Sequence, residues 1–238
     1  MMTQTTTRMM KWDNMRRVYV YSVPTRIFHW LNVLAILTLI LTGYVIGNPP
    51  ALMSNKEASF GYWFGTIRFI HFVAAIIFVL NFIFRIYISF AGNKYENWRS
   101  FLPVSKRFWK SFWQALKLDI FQMKGKEMII IGHNPLASFT YFILFIVFIF
   151  QIISGFGMYA AMSDKAIYQA FVWIVPLMGG DAAVRFWHHM ATWFFVIFSM
   201  FHVYLVFYHD SVEGRGMLSS MAGGWKFFKK DIYLKKEN

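Results

Sequence analysis

Residues 185–208 read RFWHHMATWFFVIFSMFHVYLVFY. The stretch is almost wholly apolar and long enough to cross a bilayer as one helix. It carries His188 near one end and His202 near the other. Their spacing leaves the two imidazoles only about 40° apart around the helix and roughly 21 Å apart along it. Taking His189 instead leaves an offset of about 140°, so His188 is the better partner for His202. A membrane helix with two histidines on one face reads as a ladder for two cofactors, one near each membrane surface.

The rest of the chain agrees with a membrane solvent. Of its 238 residues, 58% are hydrophobic, 21% aromatic and only 15% charged. A water-soluble domain of this composition would expose too much apolar surface. The net charge of +13 could suggest nucleic acid. The basic residues, however, alternate with apolar spans instead of forming one patch, so they read as topology signals. Cysteine is absent, which excludes iron–sulfur ligation, disulfides and covalent haem attachment. Any haem must be non-covalent and held by His or Met. The start MMTQTTTRMMKWDNMRR lacks a signal peptide's short apolar core and cleavage site, so the first apolar run is expected to stay as a span.

The expected fold is all-α: one integral membrane domain over residues 1–238, a transmembrane four-helix bundle with an additional interfacial amphipathic helix. The spans fall at about 27–46, 67–90, 136–158 and 186–208 by their apolar length. Pro24 precedes the first span, where its fixed φ is tolerated, and Gly47-Asn48-Pro49-Pro50 stops it. In the loop 91–134, Phe108, Trp109, Phe112, Trp113 and Leu116 recur at helical spacing with lysines on the other side, which predicts the headgroup helix. The N-terminal segment, this loop and the tail carry five, eight and six Lys or Arg, against one in each remaining loop. The positive-inside rule therefore puts both termini and the long loop in the cytoplasm.

That topology sorts the histidines by depth. His29 enters span one from the cytoplasm and His202 leaves span four at the same level. His71 and His188 both start their spans at the opposite surface. Buried imidazoles in a membrane are costly and need partners. A lone buried histidine reads equally as a hydrogen bond to a neighbouring helix. Four matched in depth, two of them on one helix face, are explained together by two bis-histidine haem b sites. Zinc fits less well, since each level offers two histidines and structural zinc wants four ligands. His189 lies on another face, His209 at the exit of span four and His133 at the mouth of span three. Arg26, Arg68 and Arg185 read equally as propionate partners or as snorkelling residues at helix ends.

The chain resembles the b-type cytochrome subunits of membrane-bound nickel–iron uptake hydrogenases, in the wider group that includes the formate dehydrogenase gamma-like cytochromes. The resemblance rests on an ordered set: Pro24-Thr25-Arg26-Ile27-Phe28-His29-Trp30, Thr42-Gly43-Tyr44, Ile67-Arg68-Phe69-Ile70-His71-Phe72, Arg85-Ile86-Tyr87, Gly132-His133-Asn134-Pro135, Trp187-His188, His202-Val203-Tyr204 and Ser219-Ser220-Met221. It implies a bacterial inner-membrane subunit without catalytic residues of its own. His71 and His188 would ligate one haem iron, and His29 and His202 the other. Electrons from the iron–sulfur clusters of a hydrogenase small subunit, docked to the nickel–iron large subunit, would cross both haems to a quinone. The resemblance places Asn134 near that quinone; an Asn-Pro helix start is the equal reading from the residues alone. Many relatives carry Gln where this chain has Ser138, and an acidic pair where it has His209-Asp210. The alternatives are the same scaffold in a formate dehydrogenase or thiosulfate reductase type complex, and a haem-free transporter.

Overall fold

The computed structural model describes residues 15–50, 62–93, 96–98, 102–103, 105–117, 135–214 and 216–229. In chain order the elements are β1 (Met15–Tyr19), α1 (Val23–Gly47), α2 (Trp63–Ala91), α3 (Lys106–Ala115), α4 (Pro135–Ala160), the short α5 (Ala166–Gln169) and α6 (Ile174–Leu177), α7 (Asp181–Glu213), α8 (Met217–Gly223) and β2 (Trp225–Lys229). Helices α1, α2, α4 and α7 are long and apolar enough to cross a membrane. A helix satisfies its own backbone groups, which is what a lipid solvent demands. The four fit a transmembrane bundle.

The helices run past the limits that hydropathy suggests. α7 begins directly after Gly179 and Gly180, whose φ values are +92° and +110°, and ends at Gly214, with φ +60°. Hydropathy marks the part that lipid can solvate, whereas glycines in the left-handed region mark where a helix ends.

The chain divides into two compact units, and each long helix contributes to both. One comprises Trp30–Ile86 and Thr140–Phe201; the other comprises Met1–His29, Tyr87–Phe139 and His202–Asn238. The first holds the apolar core: Ala35 of α1, Phe78 and Phe82 of α2, Leu144 and Phe148 of α4, and Phe195 of α7. Phe148 stacks on Phe195 at 5.4 Å and takes Phe78 edge-on at 4.9 Å. On the same unit, Gly157 lets α4 meet the α5–α6 segment. A Cβ there would lie 2.9 Å from the Phe171 carbonyl oxygen and run into Ile174.

The second unit holds the amphipathic helix and a sheet. Ser105 caps α3, its Oγ accepting the Phe108 N–H at 3.0 Å. Phe112 and Ala115 are buried, and Phe112 packs on Phe139 with ring centres 4.8 Å apart. Lys106, Lys110 and Lys117 stay exposed, so the amphipathic helix expected in the long loop is present. The loop after α2 fastens the start of α1. The carboxylate of Glu96, only 1% exposed, accepts the Ser22 N–H at 2.6 Å and the Asn93 N–H at 3.3 Å. Asn93 in turn donates through Nδ2 to the Val20 carbonyl at 3.2 Å.

The apolar pattern did not predict the sheet, nor the short α8 before its second strand. β1 and β2 pair antiparallel, Met15 opposite Lys229 and Tyr19 opposite Trp225. Gly224 makes the join possible. Its carbonyl accepts the N–H groups of Val20 and Tyr21 at 2.8 and 3.2 Å, and with φ +86° any Cβ would strike the Tyr19 ring and the Tyr21 carbonyl.

Candidate functional site

Four histidines were expected to fall into two level pairs, and each pair lies within one unit. In the first pair, His29 of α1 and His202 of α7 face each other with ring centres 6.3 Å apart and planes inclined at 52°. That separation lies within the range of tilted ring pairs and also leaves the room a metal would need between two imidazoles. A metal–imidazole bond of about 2 Å plus roughly 1 Å from nitrogen to ring centre, taken on both sides, gives about 6 Å. The residues present therefore fit a porphyrin iron.

The second pair is built differently. His71 of α2 is anchored by Thr42 of α1, whose Oγ1 lies 2.8 Å from Nδ1. His188 of α7 is anchored by Ser154 of α4, with Oγ 2.7 Å from Nδ1. Each hydroxyl already spends its proton. Thr42 donates to the Thr38 carbonyl at 2.6 Å, and Ser154 to the Phe150 carbonyl at 2.7 Å. The oxygen is thus left as an acceptor, and the imidazole must be the donor through Nδ1–H. This fixes the tautomer with the Nε2 lone pair free, the arrangement in which histidine ligates a metal.

A glycine follows each hydroxyl. A Cβ on Gly43 would sit 3.3 Å from the His71 Cε1, and one on Gly155 would sit 3.4 Å from the His188 Cε1. Both rings therefore lie close against a neighbouring helix backbone. The backbone carbonyl of His188 is also held, accepting from Gln151 Nε2 at 3.1 Å and Thr192 Oγ1 at 3.2 Å.

Of the other described histidines, His189 and His209 have different neighbours. The His189 ring lies against α1 at Gly47, where a Cβ would come within 2.8 Å of its Cε1. It also borders an apolar cleft of about 140 Å³ with Ile40, Tyr44 and Trp193. His209 packs against its neighbour Tyr208. His133 and the quinone candidate Asn134 lie outside the described residues. The three arginines considered for propionates engage other groups. Arg68 donates to the Met162 sulfur at 3.0 Å, Arg185 pairs with Asp181 at 2.6 Å, and Arg26 bonds the Ala222 carbonyl. Asp210 accepts the backbone N–H groups of Met217 and Leu218 at the start of α8.

Sequence reasoning missed the hydroxyls. Their signal was available: Thr42-Gly43 and Ser154-Gly155 are hydroxyl–glycine dipeptides inside otherwise apolar spans. Arg85 also means more than its place at a helix end suggested. It is buried, donates through Nε to the Tyr141 hydroxyl, and lies over that ring at 5.3 Å.

Comparison with known proteins places the chain in a family. The model of the family described as prokaryotic cytochrome b561 matches residues 20–224. The chain is 38% identical over 218 residues to a probable Ni/Fe-hydrogenase B-type cytochrome subunit of Azotobacter vinelandii, covering 90% of each chain. It is 38% identical over 220 residues to a protein of the same description from Cupriavidus necator, covering 91% of this chain and 89% of that one. To the probable Ni/Fe-hydrogenase 1 B-type cytochrome subunit of Escherichia coli K12 it is 34% identical over 232 residues, covering 95% and 98%. With four helices apolar enough to span a membrane and these relatives, the chain belongs to the prokaryotic cytochrome b561 family, as a hydrogenase-associated b-type cytochrome subunit.

Proposed function

We propose that this chain is a di-haem cytochrome that carries electrons from a nickel–iron hydrogenase across the bacterial inner membrane to a quinone. The observation that carries the reading is the 6.3 Å gap between the His29 and His202 ring centres. The hydroxyl-locked tautomers of His71 and His188 support a second site. A haem held by two imidazoles supplies one-electron iron chemistry when bound. His71 and His188 would hold the group nearer the outer surface and receive electrons from the partner's iron–sulfur small subunit. His29 and His202 would hold the group nearer the cytoplasm and pass them to the quinone, with Asn134 a candidate for binding it.

The loop charges support an orientation with both termini in the cytoplasm. Hydrogen would then be oxidised outside, and protons taken up with the quinone inside, so that turnover separates charge. The names of the relatives favour hydrogenase over a formate or sulfur-compound enzyme as the electron donor. The test is the ratio of haem b to protein by pyridine haemochrome, followed by hydrogen-driven haem reduction in the assembled complex. A ratio near two with reduction by hydrogen is expected. A colourless protein, or haems that only formate or thiosulfate enzymes reduce, would overturn the assignment.

A further inference from the structure

Thr42 and Ser154 lie on different helices and serve different histidines, yet they make the same construction. Each sits one residue before a glycine. Each gives its own proton to a helix carbonyl four residues back. Each accepts from the Nδ1 of one imidazole, at 2.8 and 2.7 Å. The glycine beside it lies against the same ring. A hydroxyl that merely satisfied itself on its own helix would need no ring.

An acceptor on Nδ1–H has an electronic effect. It draws the proton away from the ring and makes Nε2 a stronger donor, which favours the more highly charged state of a bound metal. We propose that Thr42 and Ser154 are positioning residues that together lower the reduction potential of the iron held by His71 and His188, one acting through each axial ligand. The inference rests on reading those two histidines as haem ligands. It predicts that this centre gives up its electron more readily than it would with the two imidazoles unassisted, and that the two hydroxyls contribute separately.

The experiment uses the full chain, purified with its haems, and optical redox potentiometry. Thr42→Val and Ser154→Ala should each shift one of the two haem potentials upward and leave the other in place. Only the difference in the bond's strength between the two oxidation states counts, so one ordinary hydrogen bond sets an upper bound of roughly three- to tenfold on the ferric-to-ferrous preference, equivalent to about 30–60 mV at 59 mV per tenfold for one electron. The double variant should shift by about the sum. Thr42→Ser and Ser154→Thr keep the acceptor and should restore the parental potential. Thr42→Cys offers a weaker acceptor and should fall between; it also guards against haem loss in the valine variant. Unchanged potentials with both haems retained would overturn the proposal, as would equal shifts in both haems, or a serine variant that behaves like valine. Two haems retained in His71→Ala would instead overturn the ligand assignment beneath it.

Discussion

Replacing Glu96 with alanine tests whether a side chain outside the spans controls a haem site. The carboxylate is buried and holds two backbone donors, Ser22 N–H at 2.6 Å and Asn93 N–H at 3.3 Å. Alanine leaves both without that acceptor in a part-buried place. The shorter bond dominates, and an orphaned donor costs about 1–3 kcal/mol, so the loss should total about 3 kcal/mol. For a chain of this size that corresponds to a fall of roughly 6–12 °C in melting temperature. Glutamine keeps one acceptor oxygen for Ser22 and should cost only about 1 kcal/mol. His29 follows Ser22 by two helical turns in the same unit, so the haem proposed for His29 and His202 should be lost before the other. The assay is thermal melting in detergent, followed with the reduced haem bands. If Glu96→Ala melts with the parent and keeps full haem content, or if alanine and glutamine behave alike, the fastening of α1 by this carboxylate is not what positions His29.

Four further expectations concern the site and its scaffold. His71→Ala or His188→Ala should remove one haem and disconnect the chain from its electron donor, and a haem-to-protein ratio still near two would contradict this. His29→Ala or His202→Ala should remove the other haem and abolish quinone reduction while leaving donor-driven reduction of the first, read by stopped-flow spectra. His189→Phe should retain both haems, because its ring lies on Gly47 and not in either pair; loss of one haem would show that the wrong neighbour of His188 was chosen. Gly157→Ala should destabilise the α4 contact with α6 by about 1–3 kcal/mol through overpacking, since the new methyl meets the Phe171 carbonyl and Ile174, and melting should register it without any change in haem potential.

Much of this protein is written locally. Uncharged runs long enough to span a bilayer, and lysines interleaved with aromatics in the 91–134 loop, depend only on residues near one another. The same holds for the spacing of His188 and His202, which a single helix converts into a shared face. What sequence could not decide is how each helix is rotated about its own axis, because an apolar helix in lipid carries almost no polar face to mark its inward side. Only tertiary contacts chose Thr42 as the partner of His71 and Ser154 as the partner of His188. Only they brought Glu96 to Ser22, 74 residues away, and paired Met15–Tyr19 with Trp225–Lys229. Composition and periodicity determined that this chain carries four spans long and apolar enough to cross a membrane, three of them bearing histidines. The protonation and aim of His71 and His188 were decided by hydroxyls and glycines on other helices, whose effect exists only once those helices have packed.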